Sequence, residues 1–394
     1  MPWKERDAMD LRYEFVLRSL QEGIPFMELC REYGIAPKTG YKWKERFLRE
    51  GYEGLKDRSR KPAGSPQGLD ERVVCEIIRL KQAHMSWGPR KIRSLYGRKH
   101  ARDALPSEST FKRVLDRAGL VQKRRRRKSR DGGQLKNKVA VEKPNDLWTV
   151  DFKGWWHVSG GVRCEPLTIR DEWSRYLLCV SVPENAKTET VRLEFERVFN
   201  KYGLPQTIRS DNGRPFAAYN APLGLSRLSV WWLALGIDLD RIDRGRPDQN
   251  GGHERMHRDI AWEIEGQVSG GLNHQSRALE IWRQSFNNER PHEALGMRCP
   301  ADLYEHSRTP FNGTPERLEY PDGYIERKVH STGTISLQGS SIQLTAALKG
   351  WHVGLKHLGE TSYSVYFARL CLGIIDLSSD SFCTAKQMKG GELK

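Results

Sequence analysis

The sequence contains no run of about 18 apolar residues, and its opening, MPWKERDAMD, has no apolar stretch of the kind that directs export, so neither a membrane span nor secretion is expected. Cysteine is sparse and scattered: Cys30, Cys75, Cys164, Cys179, Cys299, Cys371 and Cys383 include no C-x-x-C pair. That excludes a thiolate zinc site, argues against a disulfide framework, and leaves them as ordinary buried thiols. The eleven histidines show no ligand spacing beside these cysteines, which sets aside a zinc-binding amino-terminal module. Residues 1–145 have few acids, with 36 Lys and Arg against 19 Asp and Glu, whereas the other 249 residues hold 30 against 31. The net charge of +16 is therefore N-terminal, and a basic surplus so placed favours nucleic acid as the partner over a membrane. A cytoplasmic, DNA-associated protein is the expectation.

At 394 residues the chain is too long for one core, and several modules are expected. Residues 10–50 read as three helices, with Gly34 dividing the last two and Pro25 and Pro37 at first helical positions. This is helix-turn-helix spacing. In PKTGYKWKERFLRE, Trp43 and Phe47 share one face for the core, which leaves Lys38, Thr39, Tyr41 and Lys42 to meet DNA. A bundle with a solvated basic face is the competing reading. The resulting boundaries are a helix-turn-helix domain over 1–55, a Pro-, Gly- and basic-rich linker over 56–68, and a second helical DNA-binding domain over 69–122. In that second domain Val73, Ile77 and Leu80 recur at helical spacing, Pro89 opens a helix, and Ser107 caps one that carries Phe111, Val114 and Leu115. A basic linker, 123–145, begins with Lys123, Arg124, Arg125, Arg126, Arg127 and Lys128, a run suited to phosphates and alternatively to targeting.

From Leu147 the pattern turns to strands. LWTVDFKGWW reads as one strand, CEPLTI and RYLLCVSV as a hairpin around DEWSR, and Gln206 to Ser210 as a fourth. A helix over 186–202 carries the stripe Val191, Phe195, Val198, Phe199 and Tyr202. A helix with Trp231, Trp232 and Leu235, a short strand around Ile242, and helices at 252–265 and 275–288 come after it. The expectation is an α/β fold: a mixed sheet covered on both faces over 146–306, then a small β-barrel over 320–380.

Three acids sit in unusual settings. Asp151 lies in an apolar, aromatic strand, Asp211 follows a strand and begins DNGRPF, and Glu254 stands in PDQNGGHERMHRD as a helix starts. Carboxylates buried in strands are costly unless paired, and hard divalent cations bound by oxygen supply that pairing. Two ions held by three carboxylates suit in-line displacement at phosphorus. Gly213 permits the turn beside Asp211, and Asn212 can bond its own backbone there. Glu254 lies about 200° around its helix from Met256, which packs inward with Ile260 and Ile264. Asn250 and Gly251 allow a tight turn, and His257 and Arg258 fall three and four residues on, within reach of a phosphate. Asp171, Asp238, Asp240 and Asp243 read as surface caps or turn residues, Glu263 and Glu265 as fallback third ligands, and Trp155, Trp156, Trp231 and Trp232 as core before base-stacking platforms.

Taken together, W-x-x-D at Trp148 and Asp151, DNG at Asp211, Asn212 and Gly213, P-x-x-N-G-x-x-E at Pro247, Asn250, Gly251 and Glu254, and the segment NNERPHEALGMRCPADLY resemble insertion-sequence transposases and retroviral integrases. The resemblance covers about residues 10–305. It implies a ribonuclease-H-like catalytic core in which Asp151, Asp211 and Glu254 bind two Mg²⁺ or Mn²⁺ ions, with water cutting an element end and the freed 3′ hydroxyl attacking target DNA. It further implies transposon-end and target DNA as partners, a homo-oligomer of at least two copies on DNA, and the bacterial cytosol as the setting. The 42 residues between Asp211 and Glu254 exceed the roughly 35 of the family's shorter form, and the excess is assigned to the loop 217–228. Two other classes stay open: an inactive or domesticated DNA-binding regulator, and a ribonuclease-H-type nuclease without strand transfer.

Overall fold

The computed structural model describes residues 7–21, 23–58, 69–121, 139–218, 221–243, 246–265, 270–385 and 387. The basic run Lys123 to Lys128 lies outside them. The chain divides into two compact units, Met1–Asp70 and Glu71–Lys394. No helix among the described residues is long and apolar enough to cross a membrane.

The first unit holds α1 (Ala8–Ser19), α2 (Phe26–Glu32) and α3 (Pro37–Glu50), packed around Phe15, Val16, Leu29, Cys30 and Trp43. Pro37 opens α3, where its missing N–H costs nothing, whereas Pro25 is the cap of α2 rather than its first residue. Gly40 sets the spacing of α2 and α3, because a Cβ there would lie 2.8 Å from both Cys30 Sγ and Phe15 Cζ.

The second unit begins with α4 (Glu71–Ala83), α5 (Pro89–Lys99) and α6 (Glu108–Arg117). Ile77, Leu80, Trp87, Ile92, Leu95, Tyr96, Phe111 and Leu115 are among its buried residues, and the Ser107 hydroxyl caps α6 by accepting from Thr110 N at 3.3 Å. This bundle is tied to the remainder of the second unit through Arg98 to Asp302 (2.6 Å) and Ser86 to Glu263 (2.5 Å).

Next come β1 (Leu147–Phe152), β2 (Trp156–His157), β3 (Arg163–Cys164), β4 (Leu167–Asp171), β5 (Leu177–Ser181), α7 (Thr188–Tyr202), β6 (Thr207–Ser210), α8 (Arg227–Ala234), β7 (Asp238–Arg241), α9 (Gly251–Glu263) and α10 (Leu272–Asn288). The sheet order is β5-β4-β1-β6-β7, antiparallel across the first three strands and parallel from β1 through β6 to β7. That is the mixed ribonuclease-H-like sheet. Trp148 and Val150 face a core shared with α7 and α8, including Phe195, Phe199, Trp231 and Trp232. Leu177 and Val180 face α9 and α10 through Met256, Ile260, Leu279 and Phe286. The expected single strand LWTVDFKGWW is two, because Gly154 at φ 88° turns the chain into the β2–β3 hairpin. The strand expected around Ile242 ends one residue earlier, at Arg241.

The C-terminal module comprises β8 (Tyr324–Lys328), β9 (Thr334–Leu337), β10 (Ser340–Gln343), β11 (His352–His357), β12 (Ser362–Phe367), β13 (Leu370–Asp376) and β14 (Ser381–Thr384). The expected barrel takes the form of an antiparallel sheet, β14-β13-β12-β11-β8, and a β9–β10 hairpin over one apolar core. The last strand, β14, lies beyond the expected segments, since SFCT is short and comes after a polar turn. Helix α8 is buried all round. Leu228, Trp231 and Trp232 enter the sheet's core, while Val230, Leu233 and Ala234 enter the C-terminal core with Leu225. Part of the loop expected to hold surplus residues therefore packs between two cores. Of the seven cysteines, all free, Cys75 and Cys383 are exposed rather than buried.

Candidate active site on the mixed sheet

Strand alternation fixes the first carboxylate. Since Trp148 and Val150 point to α7 and α8, Thr149 and Asp151 point to the opposite face, toward α9. Asn250, the residue before α9, donates from Nδ2 to Asp151 Oδ2 at 3.2 Å. Burial first, then the Asp211 charge and least the Glu254 charge push the Asp151 carboxyl up to about 7, against a hydrogen bond from the Phe152 N–H that lowers it. Asp151 thus feels the charge of both other acids of the motif.

Asp211 follows β6, the parallel neighbour of β1. Burial raises its pKa, partly offset by the Gly213 N–H and the Arg241 charge, and its Oδ1 is buried with no hydrogen-bond partner. Gly213 acts here through space rather than through φ. A Cβ on it would lie 2.8 Å from Asp211 Oδ2. Asn212 reaches away from its own turn and donates to Ile242 O at 2.8 Å, tying this loop to the end of β7. Glu254 is exposed while Met256 and Ile260 are buried, as the helical angle requires.

The inner face of α9 carries a network that sequence reasoning missed. His253, fully buried, bridges Thr149 Oγ1 (2.8 Å) and Thr168 Oγ1 (3.1 Å), and His257 Nε2 lies 2.9 Å from the same Thr168 hydroxyl. Thr168 in turn donates to Asp151 O at 2.9 Å. Burial holds both imidazoles neutral, His257 at about 4. His257 is accordingly engaged with the sheet rather than turned to a phosphate, while Arg258 is exposed. The signal for His253 was present: it lies only about 60° from Met256 on the helix, on the apolar side.

Asp151, His253 and His257 offer atoms within 4.8 Å of one another and form a second conceivable ligand set. Both ring nitrogens of His253 are spent on threonines, so the imidazoles brace α9 instead. Oxygen donors of the kind a hard divalent cation takes are also at hand: the Asp151 carboxyl beside the Asp211 and Glu254 charges, and Asp211 Oδ1, which lacks any donor. The fallback acids are committed elsewhere: Glu263 binds Ser86, Trp282 Nε1 and Arg290, and Glu265 binds Lys153. Two acids read as surface residues are structural. Asp171 is fully buried and accepts from Asn145 N, Ser174 N and Ser174 Oγ at 2.7, 2.8 and 2.5 Å, and Asp240 pairs with Arg209 at 2.7 Å. Trp156, Trp231 and Trp232 are core residues, whereas Trp155 is half exposed.

In the first unit Lys38, Tyr41 and Lys42 are exposed on the N-terminal half of α3 and Thr39 is half-buried. Tyr41 stacks on Phe26 with ring centroids 4.1 Å apart, and Lys42 lies over Trp43 at 4.5 Å.

Comparison with known proteins agrees with this architecture. Residues 141–247 and 235–300 match the integrase core domain, 11–63 a helix-turn-helix domain, 39–115 a homeodomain-like domain, and 326–382 the C-terminal domain of the IS481 family transposases. An uncharacterized 31.7 kDa protein of insertion element IS407 from Burkholderia multivorans is 25% identical over 60% of this chain and 82% of its own length. An uncharacterized 39.2 kDa protein of insertion element IS476 from Xanthomonas euvesicatoria is 26% identical over 66% of this chain and 74% of its own. Among solved structures, the catalytic core domain of HTLV-2 integrase in complex with magnesium aligns with a TM-score of 0.33 at 14% identity, covering 41% of this chain and 98% of that domain. In order along the chain, helix-turn-helix segments, an integrase core domain and an IS481 transposase C-terminal domain match, and the chain is similar to proteins of insertion elements.

Proposed function

We propose that this protein binds the ends of a mobile DNA element and catalyses metal-dependent strand cleavage and strand transfer, with Asp151, Asp211 and Glu254 as the catalytic carboxylates. The observation that carries the reading is the Asp151 carboxyl, buried beside the Asp211 and Glu254 charges and pushed up to about 7, together with the unpartnered buried Oδ1 of Asp211. Such a cluster is costly alone and serves a purpose when Mg²⁺ or Mn²⁺ is bound. Two such ions, when bound, stabilise the attacking and leaving oxygens of an in-line displacement at phosphorus.

The chain's own residues do the positioning. Asn250 orients Asp151 from the start of α9, Gly213 leaves room for the Asp211 carboxylate, and the His253–Thr149–Thr168 bridge fixes the helix that carries Glu254. End recognition is assigned to the N-terminal helical modules, through Lys38, Thr39, Tyr41 and Lys42 and through the basic run from Lys123 to Lys128. Joining two ends to one target requires two such sites, hence at least a dimer on DNA.

The test is incubation of the full chain with Mg²⁺ and labelled DNA bearing the element end. Wild type yields cut and joined products, whereas Asp151→Asn, Asp211→Asn and Glu254→Gln retain end binding and yield none. Glu263→Gln keeps cleavage. Wild-type binding with no cleavage under any divalent cation would favour the regulator, and cleavage without joining the simple nuclease.

A further inference from the structure

A cavity of about 410 Å³ opens beside the start of α9, and cations dominate its lining: Lys91 from α5, Arg170 from β4, Arg175 from the turn after it, Arg255 from α9, and Arg290. Three acids, Glu172, Asp259 and Glu293, also face it, so five positive charges meet three negative ones. Arg170 pairs with Glu172, and Arg290 with Asp259 at 2.7 Å, but Lys91, Arg175 and Arg255 form no ion pair among the described residues. Arg170 and Arg290 are each 4% exposed and His292 is 8% exposed, yet the Nε atoms of both arginines and Nε2 of His292 have no hydrogen-bond partner. Buried guanidinium N–H donors are normally satisfied, and leaving those of Arg170 and Arg290 unsatisfied beside one cavity points to a ligand that accepts.

The backbone is shaped for the same purpose. Arg175 adopts φ 63°, a left-handed conformation uncommon outside glycine, in the turn that brings it to the cavity. Gly252 leaves space for Arg170 over the first turn of α9, where a Cβ would lie 2.1 Å from Arg170 Nη2. That first turn adds backbone N–H groups and the positive end of a helix of 13 residues. Burial, with Arg290 and Arg255 outweighing Asp259 and Glu293, pushes Lys91 down to about 8, and burial with Lys91 and the nearby arginines holds His292 neutral at about 2.

We propose that this cavity binds a phosphate of the DNA backbone and anchors the strand whose scissile bond lies over the carboxylates. The proposal rests on the reading of the chain as acting on DNA. Arg170 pairs across the sheet with Thr149, two residues (roughly 7 Å along β1) from Asp151, so the cavity lies on the sheet beside the carboxylates. Guanidinium groups match phosphate oxygens in geometry and charge, and the cavity joins α5, the sheet and α9, so a bound strand bridges the helical bundle and the active site.

The test compares full-length wild type with Lys91→Gln/Arg175→Gln for binding to duplex DNA in chelator, as a function of salt. Each neutralised phosphate contributes about 0.9 to the slope of log K against log salt, so the double variant is expected to lose about 0.9 from that slope with an unchanged melt. An unchanged slope and affinity would overturn the site while leaving DNA binding intact. Stabilisation of wild type, and not of the variant, by inorganic phosphate with no change in the DNA slope assigns the cavity to a free anion and also overturns it. Absence of salt-dependent DNA binding by wild type would sink the DNA reading itself. If the double variant melts early, Arg255→Gln, on the exposed side of α9, decides the same question by losing about 1 from the slope or losing nothing.

Discussion

Replacing Asp151 by Asn probes the carboxylate cluster without any turnover. In the fold the Asp151 carboxyl titrates at about 7 instead of 3.8, chiefly because it is buried and secondarily because Asp211 and Glu254 are near. At about 1.4 kcal/mol per pH unit, ionising it inside the metal-free fold costs up to about 4 kcal/mol relative to the unfolded chain. The sign comes from proton binding: between 3.8 and about 7 the folded state holds a proton that the unfolded state has released, so wild-type stability falls as pH rises through that window. Asn carries no such penalty. In chelator, Asp151→Asn should match wild type near pH 4 and exceed it by about 2–4 kcal/mol near pH 8, the lower figure allowing for relaxation and coupling to Asp211. Urea unfolding followed by tryptophan fluorescence reads the relevant unit, because ten of the twelve tryptophans lie after residue 70. Added Mg²⁺ should stabilise wild type and not the variant, reversing their order at high enough concentration. A difference that stays flat with pH, or an Asn variant that is less stable at pH 8, would refute the account of the cluster.

Further substitutions test the supports of the site. Gly213→Ala places a Cβ within 2.8 Å of Asp211 Oδ2 and should weaken divalent-cation affinity at least about tenfold, measured by titration calorimetry, with little loss of stability. His253→Ala removes the bridge between two buried threonines and should cost about 2–4 kcal/mol in urea unfolding. It should also flatten the loss of stability below pH 6.5, because a histidine held neutral in the fold takes its proton only on unfolding. Asp171→Ala strips three hydrogen bonds from a buried turn and should cost about 3 kcal/mol or more by the same assay; a cost under about 1 kcal/mol would contradict the buried role.

Much of this was legible from residue pattern. The apolar, aromatic run around Asp151 located β1 and marked its acid as unusual, and the stripe on α7 located one cover of the sheet. Capping chemistry at Pro37, Pro89 and Ser107 marked three helix starts. What escaped depended on partners distant in sequence. Asp171 and Asp240 look like turn acids until Asn145, Ser174 and Arg209 are brought to them, and His253 shows its role only when β1 and β4 supply threonines on both sides. Helix α8 read as an ordinary core helix, since hydropathy alone does not separate one buried face from two.

That second face has a consequence for how such proteins diverge. A module whose contacts were confined to a linker could be exchanged between elements with little disturbance. Here, deleting the chain beyond about residue 318 would leave Leu225, Val230, Leu233 and Ala234 open to water, an apolar patch on a helix that cannot fray without disturbing Trp231 and Trp232. Shortened products of this gene should therefore be prone to aggregation, and viable hybrids between relatives should inherit residues 223–234 from the same parent as the C-terminal sheet.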